Sequence, residues 1–233
     1  MSDTSDLGTF VTIEPDGDIV LVVGEHNEQF QVSSRVLSKA SPVFKAMLGP
    51  NFREGQQKRS SSQPATVELP EDDSDGMRLI LQFIHLGGID LGTSGISRII
   101  VIRHAAVALQ KYQMLEVLRW PMQGLLTNWL WEHKKQKSIA FVLEAVAAAY
   151  LLGSDDAFQG ATAHLITNCV SSVAQTPDDQ TLDLIPARVL LILEARRLRA
   201  RDKHSAVSKD DGLCLSCTRA GQQALYATCS RGC

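Results

Sequence analysis

The chain has 233 residues, of which 44% are hydrophobic and 21% charged, the balance of an ordinary globular protein with material for a sizeable core. Its formal net charge of -3 is too near neutral to imply a nucleic acid or an anionic membrane as partner. The polar start, Met1-Ser2-Asp3-Thr4-Ser5-Asp6, carries no secretory signal pattern. The longest apolar segment, Ile139 to Leu152, contains Glu144 and is too short for a membrane span. An intracellular protein, cytoplasmic or nuclear and without a membrane partner, is therefore expected.

In chain order, Phe10-Val11-Thr12-Ile13 reads as a short extra strand or an arm, and Pro15-Asp16-Gly17-Asp18 as a turn. Ile19-Val20-Leu21-Val22-Val23 is a saturated, β-branched run that suits a strand covered on both faces. Gly24 and the polar Glu25-His26-Asn27-Glu28 break it, and Phe30-Gln31-Val32 restores alternation, so a β-hairpin is predicted. Ser33 or Ser34 can cap a short helix that turns Val36 and Leu37 inward. Ser41-Pro42 then starts a second helix, with proline in the first turn where its missing N–H is harmless. Val43, Phe44, Met47 and Leu48 share one face of it.

These residues resemble a known family. Asp18-Ile19-Val20-Leu21, Phe30-Gln31-Val32 and Leu37 through Ser41 to Phe44 follow the order of strand, strand and helical pair in the BTB/POZ domain. The wording VSSRVLSKASPVFKAML is most similar to the fungal branch. Many animal members carry a histidine just after the second strand, where this chain has Ser33-Ser34. The resemblance implies an α+β fold, a small three-stranded sheet capped by a cluster of helices, with a C-terminal helical extension.

Beyond Gly49-Pro50-Asn51, the polar stretch Arg53 to Ala65 has no apolar periodicity and is expected to be a mobile loop. Thr66-Val67-Glu68-Leu69 reads as a strand, and a mostly buried helix follows from about Ser74 to Leu86. Ile84-His85-Leu86-Gly87-Gly88 stands where the family has a tyrosine-containing motif, but it lacks the tyrosines. Ile99-Ile100-Val101 begins a helix or forms a strand, Ala105 to Lys111 is helical, and Lys111-Tyr112-Gln113-Met114 matches a signature that joins the family's last two helices. Leu115 to about Lys135 is helical with an interruption expected at Trp120-Pro121, its apolar face formed by Leu118, Met122, Leu125, Leu126, Trp129 and Leu130.

After a polar joint, helices are expected at Ile139–Leu152, at Asp155–Val173, and from Thr181 or Ala187 to Arg201. The division of the chain is then a flexible N-terminus over 1–16, a BTB/POZ domain over 17–137, a helical extension over 138–203 and a cysteine-containing tail over 204–233. Arg196, Arg197, Arg199, Arg201 and Lys203 are read first as complements to a helix C-terminus, and second as a localisation or acidic-partner patch.

No glycine-rich phosphate loop, nucleophile elbow or H-E-x-x-H helix occurs, and His26, His85, His104, His133, His164 and His204 are scattered without ligand spacing. The chain is not expected to be an enzyme. Cys169 reads as a packing position. Cys214, Cys217, Cys229 and Cys233 are first free thiols, second ligands of a structural zinc ion, and third a redox or disulfide group; no other cofactor is expected.

The function expected from the resemblance is a protein–protein interaction module that self-associates into a homodimer or larger homo-oligomer. The interaction residues would be Ser33, Ser34, Val36, Leu37, Phe44, Leu48 and Phe52. The alternatives are an adaptor for a cullin-type ubiquitin ligase, touching the cullin near Leu86–Ala106 and Phe44–Phe52, and a regulatory protein whose tail holds zinc.

Overall fold

The computed structural model describes residues 8–86, 95–169, 171–173, 179–202 and 212–221. Two compact units divide the chain, one built on residues up to Gly92 with His104–Arg119, the other on Thr93–Arg103 and Trp120 onward.

The first unit holds a four-stranded sheet, β1 (Phe10–Thr12), β2 (Ile19–Val23), β3 (Glu28–Val32) and β4 (Ala65–Leu69), in the order β1-β3-β2-β4. β2 and β3 form the expected antiparallel hairpin, with Leu21 opposite Phe30. Gly24 takes φ +72 in its turn, and a Cβ there would stand 3.0 Å from the Asp72 carbonyl oxygen, so glycine suits both conformation and space. β4 lies parallel to β2, with Leu21 level with Val67. Its alternating pattern points Ala65, Val67 and Leu69 inward and exposes Thr66 and Glu68. The sheet exceeds the expected three strands because Phe10–Thr12 adds to its edge, parallel to β3.

Helices α1 (Ser34–Ala40) and α2 (Pro42–Met47) follow the hairpin. The expected loop after α2 is partly structured. It contains a one-turn helix, α3 (Arg53–Gln56), and a bridge between Ser60 and Gln63. Arg59 ties it down, with Nε 3.3 Å from the Asp18 carboxylate. The next helix, α4, has the expected bounds, Ser74–Leu86, and buries Gly76, Met77, Leu79, Ile80 and Leu81. At Gly76 it meets the following helix so closely that a Cβ would come within 2.8 Å of the His104–Ala105 backbone.

That helix, α5 (Arg98–Lys111), and α6 (Leu115–Glu132) each contribute to both units. The run Ile99-Ile100-Val101 is thus helical. Contrary to expectation, α6 runs through Pro121 without a break. Buried Leu118 before it and Met122 and Leu126 after it hold the helix across the missing hydrogen bond.

The second unit is helical. α7 (Ile139–Leu152) is buried around most of its circumference, and ends at Gly153 in the left-handed conformation, φ 67. It packs on α8 (Asp155–Asn168), against which α10 (Ala187–Asp202) and α11 (Leu215–Arg219) also lie, with the short α9 (Asp179–Asp183) beside α7 and α10. α8 stops at Asn168, short of the expected Val173. There Glu194 draws the chain away, accepting from Ser172 Oγ at 2.9 Å and from the Val173 N–H at 3.2 Å. Among the described residues no helix is long and apolar enough to cross a membrane.

Candidate interaction surface

The expected interaction residues fall into two groups. Leu37 and Phe44 are fully buried and Leu48 is 5% exposed, so these three side chains serve the chain's own core. Phe52 is half exposed, and Ser33, Ser34 and Val36 are half-buried.

The serines are committed locally. Ser33 precedes α1 in an extended conformation, with no side-chain cap bond. Its N–H donates to His85 Nε2 at 3.1 Å, while His85 Nδ1 lies 2.9 Å from the Leu81 carbonyl oxygen. The imidazole must therefore accept at Nε2 and donate at Nδ1, which is the neutral Nδ1–H tautomer. Burial accordingly pulls the His85 pKa below its usual value. Ser34 donates from its N–H and its hydroxyl to the two oxygens of Asp18, at 2.8 and 2.7 Å. The aspartate that opens the strand motif thus anchors the first turn of α1 from β2.

The second helix is fixed by the Lys111-Tyr112 signature. The Ser41 hydroxyl caps that helix, accepting from the Phe44 N–H at 3.0 Å, and donates to the Tyr112 carbonyl at 2.7 Å. The Tyr112 ring stacks on Phe44, centroids 4.4 Å apart at 8°. Its hydroxyl donates to Asp72 Oδ2, and Lys111 Nζ donates to Oδ1 at 2.8 Å. Burial, and then the bond to Asp72, push the phenol pKa far above its ordinary value. The phenol therefore stays protonated throughout the physiological range.

Around this frame, large apolar side chains among the described residues of the first unit reach solvent, Val117 of α6 at 51% exposure among them. Phe10 on edge strand β1 is 53% exposed, Phe52 is 50% exposed, and Leu86 at the end of α4 is 61% exposed.

This architecture has a match. Residues 15–120 match the BTB/POZ domain. The match, to a family of protein–protein interaction modules, covers a little less than half of the chain, and the α+β fold with a helical C-terminal region agrees with the expected class. No curated protein matches the chain.

Elsewhere the expected site residues are less concentrated. Cys214 and Cys217 are buried at the start of α11, where Cys214 Sγ accepts from the Cys217 N–H at 3.5 Å. Cys229 and Cys233 lie outside the described residues. Among the described residues no cluster of metal-ligating side chains occurs. Cys169 is buried, and desolvation pushes its thiol up to about 11, the environment of an inert packing cysteine. Of the basic run, Arg197 is not a surface charge: it is 1% exposed and donates through Nε and Nη2 to Glu194, at 3.0 and 2.5 Å. Glu194 is held below the usual carboxylate range by that pairing.

Two exposed side chains of the second unit escaped the sequence reading, Trp120 at 79% and Trp131 at 71%. Their signal is a spacing of eleven residues, three helical turns on one face.

Proposed function

We propose that the chain is a self-associating interaction module whose BTB/POZ domain binds a second copy of itself. The observation that supports this best is edge strand β1, which ends the sheet with Phe10 turned to solvent. An edge strand of three residues leaves backbone donors and acceptors for a partner's strand, and an exposed phenylalanine supplies apolar area beside them. The half-buried Ser33, Ser34 and Val36 of the α1 approach provide the rest of the surface that family resemblance assigns to dimer formation. The affinity with fungal members rests on the wording from Val32 to Leu48 alone.

The test is the mass of the full chain by light scattering, with Val36→Arg and deletion of residues 8–13 as variants. Both should lower the average mass at micromolar concentration while circular dichroism is unchanged. A mass indifferent to both would sink the proposal.

A second reading, as adaptor for a cullin-type ubiquitin ligase, draws on Phe52 and Leu86, exposed where that resemblance puts the scaffold contact. It predicts retention of purified cullin by the immobilised chain, reduced by Phe52→Ala with Leu86→Ala. No retention by the unaltered chain would eliminate it.

A further inference from the structure

α6 is one continuous helix, and its two sides both carry large apolar residues. Leu118, Met122, Leu126 and Trp129 are buried. The other side presents Val117, Trp120, Gly124, Thr127 and Trp131, all exposed, at alternating steps of three and four, the spacing of a helix–helix seam. Trp120 and Trp131 leave 79% and 71% of their surface in water.

Between the two indoles the helix is narrow. Gly124 is exposed, and a Cβ built on it meets nothing within 4 Å. A Cβ on Gly160 of α8 would also meet nothing within 4 Å, and Gly160 lines a trough with Thr127, Trp131, Asp156 and Ala157. A glycine inside a helix costs about 0.8–1 kcal/mol relative to alanine. Neither glycine is needed for the chain's own elements to approach one another. Both are accounted for if another surface comes close from outside.

The residues on this side are paired about a point between Leu125 and Leu126. An antiparallel copy of α6 centred there sets Trp120 against Trp131 of the second copy, Gly124 against Thr127, Gln123 against Asn128, and Arg119 against Glu132. Aromatic meets aromatic, small meets small, amide meets amide, and positive meets negative. A parallel copy would instead set Arg119 against Arg119 and Glu132 against Glu132. Within the chain, Arg119 pairs with Glu116 at 3.2 Å and Glu132 with Arg98 at 3.8 Å. Exposed pairs of this kind contribute little, so exchange across the two-fold axis is nearly neutral.

From this self-complementarity we propose that α6 forms a second, antiparallel homodimer contact, separate from the surface of α1 and β1 discussed above. Each indole can bury about 150–250 Å². The four of a symmetric pair thus supply roughly 600–1,000 Å² of the approximately 1,200–2,000 Å² that a specific interface buries. Two different two-fold contacts on one chain would link dimers into larger assemblies.

Sedimentation velocity on the full chain tests this in two backgrounds, unaltered and Val36→Arg. Trp120→Ala with Trp131→Ala should weaken association about tenfold or more in both. Arg119→Glu and Glu132→Arg should each weaken it, and the two reversals together should restore it, which also shows that the singles remain folded. Chains carrying Gln123→Cys, mixed with tagged chains carrying Asn128→Cys, should give a mixed product with a short bismaleimide cross-linker. The proposal is overturned if the double reversal is no better than the singles, if the tryptophan pair leaves the mass distribution unchanged, or if no mixed product forms. An effect of Val36→Arg alone bears only on the α1 surface.

Discussion

The Tyr112 hydroxyl donates to the Asp72 carboxylate at 2.5 Å, joining the end of α5 to the turn before α4. Asp72 is 8% exposed and Tyr112 1% exposed. A buried carboxylate that loses a donor suffers its own desolvation penalty as well as the lost bond. Tyr112→Phe keeps the stack on Phe44 and removes only the hydroxyl. It should destabilise the chain by about 1.5–3 kcal/mol, the range of hydrogen bonds to charged groups, read from the urea midpoint. Lys111→Met should cost less, because the lysine side chain is 42% exposed.

In the second unit, Glu144 accepts from Arg103 Nε at 2.7 Å and from Thr181 Oγ1 at 2.8 Å. Both charged side chains are 7% exposed. Removing one member of such a pair strands the other charge, and Glu144→Ala should cost about 3–5 kcal/mol. Arg103→Met with Glu144→Leu should cost clearly less than that single change, since neither charge then remains. Equal losses in thermal or denaturant unfolding would show that the pair is not the stabilising feature.

His85 makes stability depend on pH. Its folded pKa is depressed by burial below the ordinary 6.5, and its Nε2 must stay unprotonated to accept from Ser33. The folded chain therefore binds fewer protons than the unfolded chain in the window just below 6.5. The contribution of neutral His85 is complete above that value and is lost as pH falls through the depressed one. Unfolding free energy measured from about pH 7.5 down to 5.5 should decline, and His85→Asn should flatten that decline. An unchanged slope in the variant would remove His85 from the explanation.

Gly124→Ala separates folding from association. With nothing within 4 Å of the added Cβ, the variant should be more stable by about 0.8–1 kcal/mol. If α6 meets a second copy at this point, the same change should weaken association. Stabilisation with unaltered association would mean that no helix approaches there.

Much of the first unit was legible because its signals are local. The apolar run at Ile19–Val23, the alternation around Phe30, the Ser41-Pro42 start and the apolar span to Leu86 each sit inside the element they specify. β1 was not decidable, since its partner strand lies about twenty residues on and three residues carry little pattern. Pro121 was misread as an interruption because the packing of Leu118, Met122 and Leu126 on either side of it is tertiary, and propensity yields to such packing. α6 also hid its exposed side. Trp129 and Trp131 are equally apolar in sequence, and only the fold turns one to the core and the other to solvent. The same limit applied to Leu37, Phe44 and Leu48, since interface and core leave one imprint on sequence.

The most direct measurement is native mass spectrometry of the full chain across the micromolar range. Assemblies of two or more copies are expected, shifting to smaller ones with Val36→Arg. A single species of 25.5 kDa, one chain at every concentration, would contradict self-association altogether.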